Sequence, residues 1–188
     1  MDAPTTPETG MTWHAYVDES KAADYLLAAT RVDPGREAGA RRVLRALVPP
    51  RQSRLHMRHE PDRRRREILT AVGSLEVVTT LYRARARPGT TQISRRRACL
   101  ARLVTDLAGA CDRLVLESDE TQDARDRRDL VALTREAGCR DTLRYEHLRA
   151  SQELLLAVPD VVAWSYARGG EWRRRVTSHV EVVEVADA

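Results

Sequence analysis

Three short stretches carry acids where plain secondary structure has little use for them. The first is YVDES, residues 16–20, where a run of strand character ends in Asp18 and Glu19. The second is LVLES, residues 114–118, where apolar strand-forming residues lead into Glu117. The third is LLLAVPDVVAWSY, residues 154–166, where Asp160 interrupts an otherwise apolar run. A carboxylate among apolar neighbours is costly unless it has a partner, a cation or water. Carboxylates brought together from two strands and one helix are a donor set for Mg²⁺ or Mn²⁺, since hard cations take oxygen ligands. A pair of such ions about 4 Å apart activates a water and stabilises the leaving oxygen of a phosphodiester. That chemistry needs acids and few other special groups. The chain carries no recognisable Ser–His–Asp or Cys–His signature and no Gly-rich phosphate loop, so use of a nucleoside triphosphate is not expected.

Each acid also has a plainer reading. Acids commonly mark strand ends and helix starts, and Asp119 and Glu120 fit as N-terminal charges of a following helix. Pro159 is tolerable only in the first turn of a helix or at a kink. If the helix begins near 156–159, Asp160 sits at its N-terminus, where negative charge is favoured. Asp18 and Glu19 alternate along a strand and so point to opposite faces. Asp18 shares a face with Tyr16 and Ser20; Glu19 shares one with Ala15 and Val17, which reads as the helix-packed face. Asp18 is therefore expected to line an open cleft.

The elements that would position these acids follow from local pattern. Strands are expected over 13–19, 25–32, 75–86, 112–120 and 141–148, the third on its β-branched content. The link SKAAD makes the first two an antiparallel pair. RLHMRHE, 54–60, reads as a short strand or extended loop. Helices are expected over 34–47, 62–72, 94–111 (with Ser94 as cap), 121–139 (with Thr121 as cap) and 152–170, ending on a Gly pair. Early strands lie adjacent and later ones alternate with helices. The fold class is thus α/β, a mixed sheet with helices packed on both faces. Residues 1–11 read as a flexible tail, 12–176 as one domain and 177–188 as a tail or edge strand.

Composition narrows the function classes. Of 188 residues, 42% are hydrophobic and 32% charged, which suits a folded soluble domain with its own core rather than a disordered chain. No apolar run is long enough to span a membrane and no signal peptide is recognisable. Three widely spaced cysteines suggest reduced thiols and a cytoplasmic setting rather than a disulfide framework or zinc knuckle. His56 and His59 form an HxxH pair with no cysteine nearby, a weak basis for zinc. The net charge is +4, and nearly all the basic residues are arginine. The runs 63–66 and 95–97 make Arg63, Arg64, Arg95 and Arg96 candidates for phosphate contact, or else solvated helix faces. Trp172, beside Arg173, either stacks on a base or anchors the chain end. Trp164 follows Val161 at helical spacing and reads as core.

The opening YVDES, the acid ending a later strand and the closing AVPDVVAW together resemble an uncharacterised ribonuclease H-like family. Its members open on a strand ending D-E-S-G and close on a helix with an L-A-D-hydrophobic-hydrophobic-A sequence. The resemblance spans roughly residues 13–175. It implies a ribonuclease H-like mixed sheet and a metal-dependent nuclease or strand-transfer activity on DNA or RNA. Carried onto this chain, it makes Asp18, Glu117 and Asp160 the metal-binding and catalytic acids. It also implies a further polar position, Glu60 or His56, as ligand or proton carrier. Lys21 stands where the family usually has Gly, and Pro159 where it usually has Ala. A non-catalytic relative that binds nucleic acid or a protein partner is the alternative.

Overall fold

A computed structural model describes residues 12–21 and 24–186; the expected N-terminal tail lies outside them. Six strands form one sheet: β1 (Trp13–Lys21), β2 (Tyr25–Val32), β3 (Val78–Ala84), β4 (Cys111–Glu117), β5 (Arg144–Leu148) and β6 (Val180–Glu184). Their order across the sheet is β5-β4-β1-β2-β3-β6. β1, β2 and β3 run antiparallel to one another in turn. β4 lies parallel to β1, β5 parallel to β4, and β6 parallel to β3. The expected mixed α/β sheet is the one observed, with Val180–Glu184 supplying an edge strand.

Helices cover both faces because the central strands are apolar on both sides. Ala15 and Val17 of β1 and Leu27 and Ala29 of β2 pack against Cys99, Leu100, Leu103 and Val104 of α3 (Gln92–Leu107). Leu130 and Leu133 of α4 (Asp123–Glu136) complete that layer. On the other face Tyr16 and Val115 meet Leu44 of α1 (Glu37–Leu47) and Ile68 of α2 (Asp62–Gly73). Val158 and Val161 of α5 (Ala157–Arg168), with Trp172 and Val176 of α6 (Gly170–Val176), close it. Each fully buried Leu or Ile contributes about 1.5–3 kcal/mol of transfer free energy. Both faces are thus helix-packed, so Asp18 reaches its surroundings at the end of β1 and not through an uncovered face.

Several boundaries shift for identifiable reasons. β3 begins at Val78, because Leu75 and Val77 pack into the core cluster beside α2 before the strand starts. RLHMRHE is not a strand: Met57–His59 form a single 3-10 turn within the connection between α1 and α2. α3 starts earlier than expected, with Thr91 as cap and Ser94 three residues on, each side chain bonding the other's backbone N–H. Thr121 is not a cap; its N–H and hydroxyl donate to Asp119 in the turn before α4. The expected helix over 152–170 is divided. A 3-10 turn over Leu154–Leu156 leads into α5, Gly169 breaks it with φ of 74°, and α6 follows. Pro159 falls in the first turn of α5, where its missing N–H leaves no helical bond unmade.

Candidate functional site

β1 and β4 are paired in parallel with Val17 opposite Leu116. Asp18 and Glu117 are the next residues on the two strands, so their acids leave the sheet side by side at its carboxyl ends. Alternation along β1 puts Asp18 on the Tyr16 face, the face that α5 covers. The first turn of α5 delivers Asp160 to the same place.

The three acids act on one another. Burial, the charges of Glu117 and Asp160, and a hydrogen bond to Glu117 hold the Asp18 carboxyl well above the usual carboxylate range, with Arg96 opposing. Asp18 also accepts the backbone N–H of Glu19 at 2.7 Å. The connection between α1 and α2 lies against the other two acids. Asp160 accepts the Met57 N–H at 3.0 Å, with His56 Nδ1 at 3.4 Å. Arg54 donates to Glu117 at 3.2 Å. Among the described residues, no three His, Cys, Asp or Glu side chains are gathered as a ready-made metal cage. A cleft of about 360 Å³ opens beside Asp160, lined also by Glu19, Lys21, His56, Arg58 and Trp164; Asp18, expected to line an open cleft, is not among its lining residues, because the helix-packed sheet face covers it.

The remaining expected residues fall elsewhere. Glu60 is buried, 3.8 Å from Arg64, and not beside the acids; of the two loop candidates it is His56 that reaches them. Arg63 and Arg64 pair with Glu67, and Arg64 also donates to the Leu47 carbonyl. Arg95 donates to the Thr91 carbonyl at the start of its own helix. Arg96 is 4% exposed and so is not open to a phosphate. Its guanidinium pairs with Asp126 and Glu19 and donates to the Tyr25 hydroxyl at 2.6 Å, with His147 3.4 Å from Asp126. Trp172 is 9% exposed and packs edge-on to Trp164 with ring centres 5.6 Å apart, which makes it an anchor rather than a base platform. Trp164, expected in the core, is half-buried and borders the cleft.

Sequence reasoning missed Arg54 as a partner of the acids and the buried charge network around Arg96. Arg54 opens the RLHMRHE stretch, but nothing local marks it. Asp126 gives no signal either, since an Asp in the first turn of a helix is ordinary.

The sheet order, the antiparallel opening and the placement of the helices define a ribonuclease H-like α/β fold. Among solved structures, the PCNA:RNase HII complex from Archaeoglobus fulgidus contains a similar chain, with a TM-score of 0.58 and 14% sequence identity over 88% of this chain and 75% of that one. Bst-RNase HIII in complex with Mn²⁺ gives a TM-score of 0.47 at 16% identity, over 86% of this chain and 55% of that one. This chain therefore spans about half the length of that enzyme. No family model and no curated protein matches the sequence.

Proposed function

We propose that this protein is a metal-dependent nuclease or phosphodiester-transfer protein acting on nucleic acid, with Asp18, Glu117 and Asp160 as its catalytic acids. The observation that carries the reading is the convergence of Asp18, Glu117 and Asp160 at one end of β1 and β4, where burial first, and then the charges of Glu117 and Asp160, raise the Asp18 carboxyl above its usual range. Like charges so placed are relieved by a proton or by a cation. The donor set is all oxygen, which fits Mg²⁺ or Mn²⁺. Such an ion supplies an activated water and stabilises the leaving oxygen.

The chain's own residues do the rest. Asp18, Glu117 and Asp160 would hold the ion, which would require Asp18 to be ionised and Glu117 to be free of Arg54. Asp160 is oriented by the Met57 N–H. His56, 3.4 Å from Asp160, is placed to carry a proton near the reacting group. Glu60 has no part in this arrangement.

Fluorescently labelled single-stranded, duplex and RNA–DNA hybrid substrates, titrated with Mg²⁺ and Mn²⁺, test the reading. Cleavage is expected only with metal, and Asp18→Asn is expected to lower it by at least about 100-fold, the scale of losing one preorganised electrostatic group. Cleavage that persists in EDTA or in Asp18→Asn rejects the assignment. A second reading, a non-catalytic nucleic-acid-binding domain, draws on the positions of Arg54 and His56, which already serve Glu117 and Asp160 as internal counterparts. Binding without any metal-dependent turnover selects it.

A further inference from the structure

The basic residues that the sequence offers most plainly are already engaged. Arg63 and Arg64 face Glu67, Arg65 faces Asp62, and Arg66 faces Glu171. The connection between α1 and α2 is different. Arg51 and Arg58 are exposed, and among the described residues neither has a carboxylate partner. Arg54 lies between them in sequence and touches Glu117. Two clefts meet at His56: one is bordered by Arg58 and Asp160, the other by Arg51 and Arg54. The three arginines thus border two clefts that share His56, one of them lined by Asp160, and Arg54 reaches Glu117.

This segment is also held in place. Leu55 and Met57 are buried in the core, at 3% and 1% exposure. Arg65 donates to the carbonyls of Met57 and Arg58, at 3.0 and 3.1 Å, from the neighbouring helix α2. Arg51 adopts a left-handed backbone with φ of 73°, the one non-glycine residue to do so among the described residues. Such a conformation costs of order 1–3 kcal/mol and persists only where the surroundings impose it. A backbone already fixed in this way gives up little further main-chain entropy when the arginine side chain meets a ligand.

The geometry points to residues 51–58 as the polynucleotide grip of this protein: Arg51 and Arg58 contact backbone phosphates on either side of the acids, and Arg54 takes the phosphate nearest Glu117. The ligand chemistry is a run of phosphodiesters, because exposed guanidinium groups, two of them without a carboxylate partner, match repeated anions and carry no base-reading pattern. The inference rests on the nuclease or nucleic-acid-binding reading above and assigns its binding surface. It moves that surface away from the 63–66 and 95–97 runs.

The test is equilibrium binding in EDTA of a labelled single strand and a labelled RNA–DNA hybrid across a salt series. The full chain is compared with Arg51→Ala/Arg58→Ala and with Arg63→Ala/Arg64→Ala. Every arginine withdrawn from a phosphate lowers the slope of log affinity against log salt by about 0.7 to 0.9. The 51/58 variant is therefore expected to bind more weakly with a slope reduced by about 1.4 to 1.8, and the 63/64 variant to match wild type. Both substituted side chains of the 51/58 variant are exposed and free of carboxylate partners, so its thermal midpoint is expected to be unchanged. An unchanged slope in the 51/58 variant, with wild type binding, overturns the grip and leaves the nucleic-acid reading standing. No binding by wild type at low salt overturns both. Binding that depends on Arg51 and Arg58, without cleavage under any metal, keeps the grip and rejects the nuclease.

Discussion

Burial, and then the same neighbours that would join it as ligands, shift the Asp18 carboxyl toward its protonated form. Its carboxyl sits above the usual range because of burial and because Glu117 and Asp160 are close. The folded state therefore keeps a proton at pH values where the unfolded chain has already released it. Stability from this group is complete below the unfolded value and is lost as pH rises through the folded one. Asp18→Asn removes the ionisation, so its thermal midpoint is expected to exceed that of wild type as pH rises above the ordinary carboxylate range. Below that range the two are expected to converge. Scanning calorimetry across pH, with and without Mn²⁺, checks this. Metal is expected to raise the wild-type midpoint at the higher pH and to leave Asp18→Asn nearly unmoved. A wild-type midpoint that does not respond to pH relative to the variant would mean the three acids do not interact. All three could be picked out from sequence alone, because an acid at a strand end or inside an apolar run stands out against its surroundings. Of their counterparts, Arg54 could not be assigned that way, and His56 was named only as an alternative to Glu60. An arginine's role depends on what the fold brings within reach of its long side chain, and no periodicity encodes that.

Among the elements, the α5–α6 join decides how the last acid is presented. α5 must start at Ala157 so that Pro159 is harmless and Asp160 meets the Met57 N–H. It must end at Gly169 so that α6 can turn back and place Trp172 against Trp164. Gly169 has φ of 74° and ψ of −163°, a region open essentially to glycine alone. Gly169→Ala is expected to cost about 1–3 kcal/mol, measured by urea unfolding, although a Cβ there would meet nothing within 4 Å. A neutral result would show that the join tolerates another backbone path. Five of the strands, and the antiparallel pairing of the first two, were readable because β-branched and apolar runs stand out; the order across the sheet was not. The division of 152–170 was not, since a Gly pair stops a helix and permits a bend with equal ease. Helix starts slipped for a related reason: Thr91 and Ser94 both have cap chemistry, and only geometry shows which one caps.

Across the whole molecule, the charge network on the opposite side of β1 ties together parts far apart in sequence. Arg96 of α3 joins Glu19 of β1, Tyr25 of β2 and Asp126 of α4, and His147 of β5 stands beside Asp126. Arg96 and Asp126 have side chains only 5% and 1% exposed. Removing one partner of so buried a pair strands the other, at a cost of about 3–5 kcal/mol. Arg96→Ala is expected to lower stability by that amount in denaturant unfolding. A paired Arg96→Met/Asp126→Leu replacement is expected to recover part of the loss, because Asp126 is then not stranded and Glu19 keeps Lys21. A small effect of the single variant would place Arg96 outside the core after all. The basic run that contains Arg96 suggested a surface role, and the error has a physical cause: a charged residue is buried only when a partner waits for it, and that partner lies 30 residues away.

The alternation of Asp18 and Glu19 has a consequence for how the strand finds its place. Sliding β1 by one residue against β2 and β4 would send every side chain to the wrong face. Glu19 would then stand where the Asp18 carboxyl now meets Glu117, Asp18 would be pushed into the apolar place of Val17, and Ser20 would be left facing Arg96. The adjacent acids therefore work as a frame marker, each keyed to a different partner on a different side. Exchanging the two, as Asp18→Glu together with Glu19→Asp, would keep composition, charge and strand propensity and would still misread the frame.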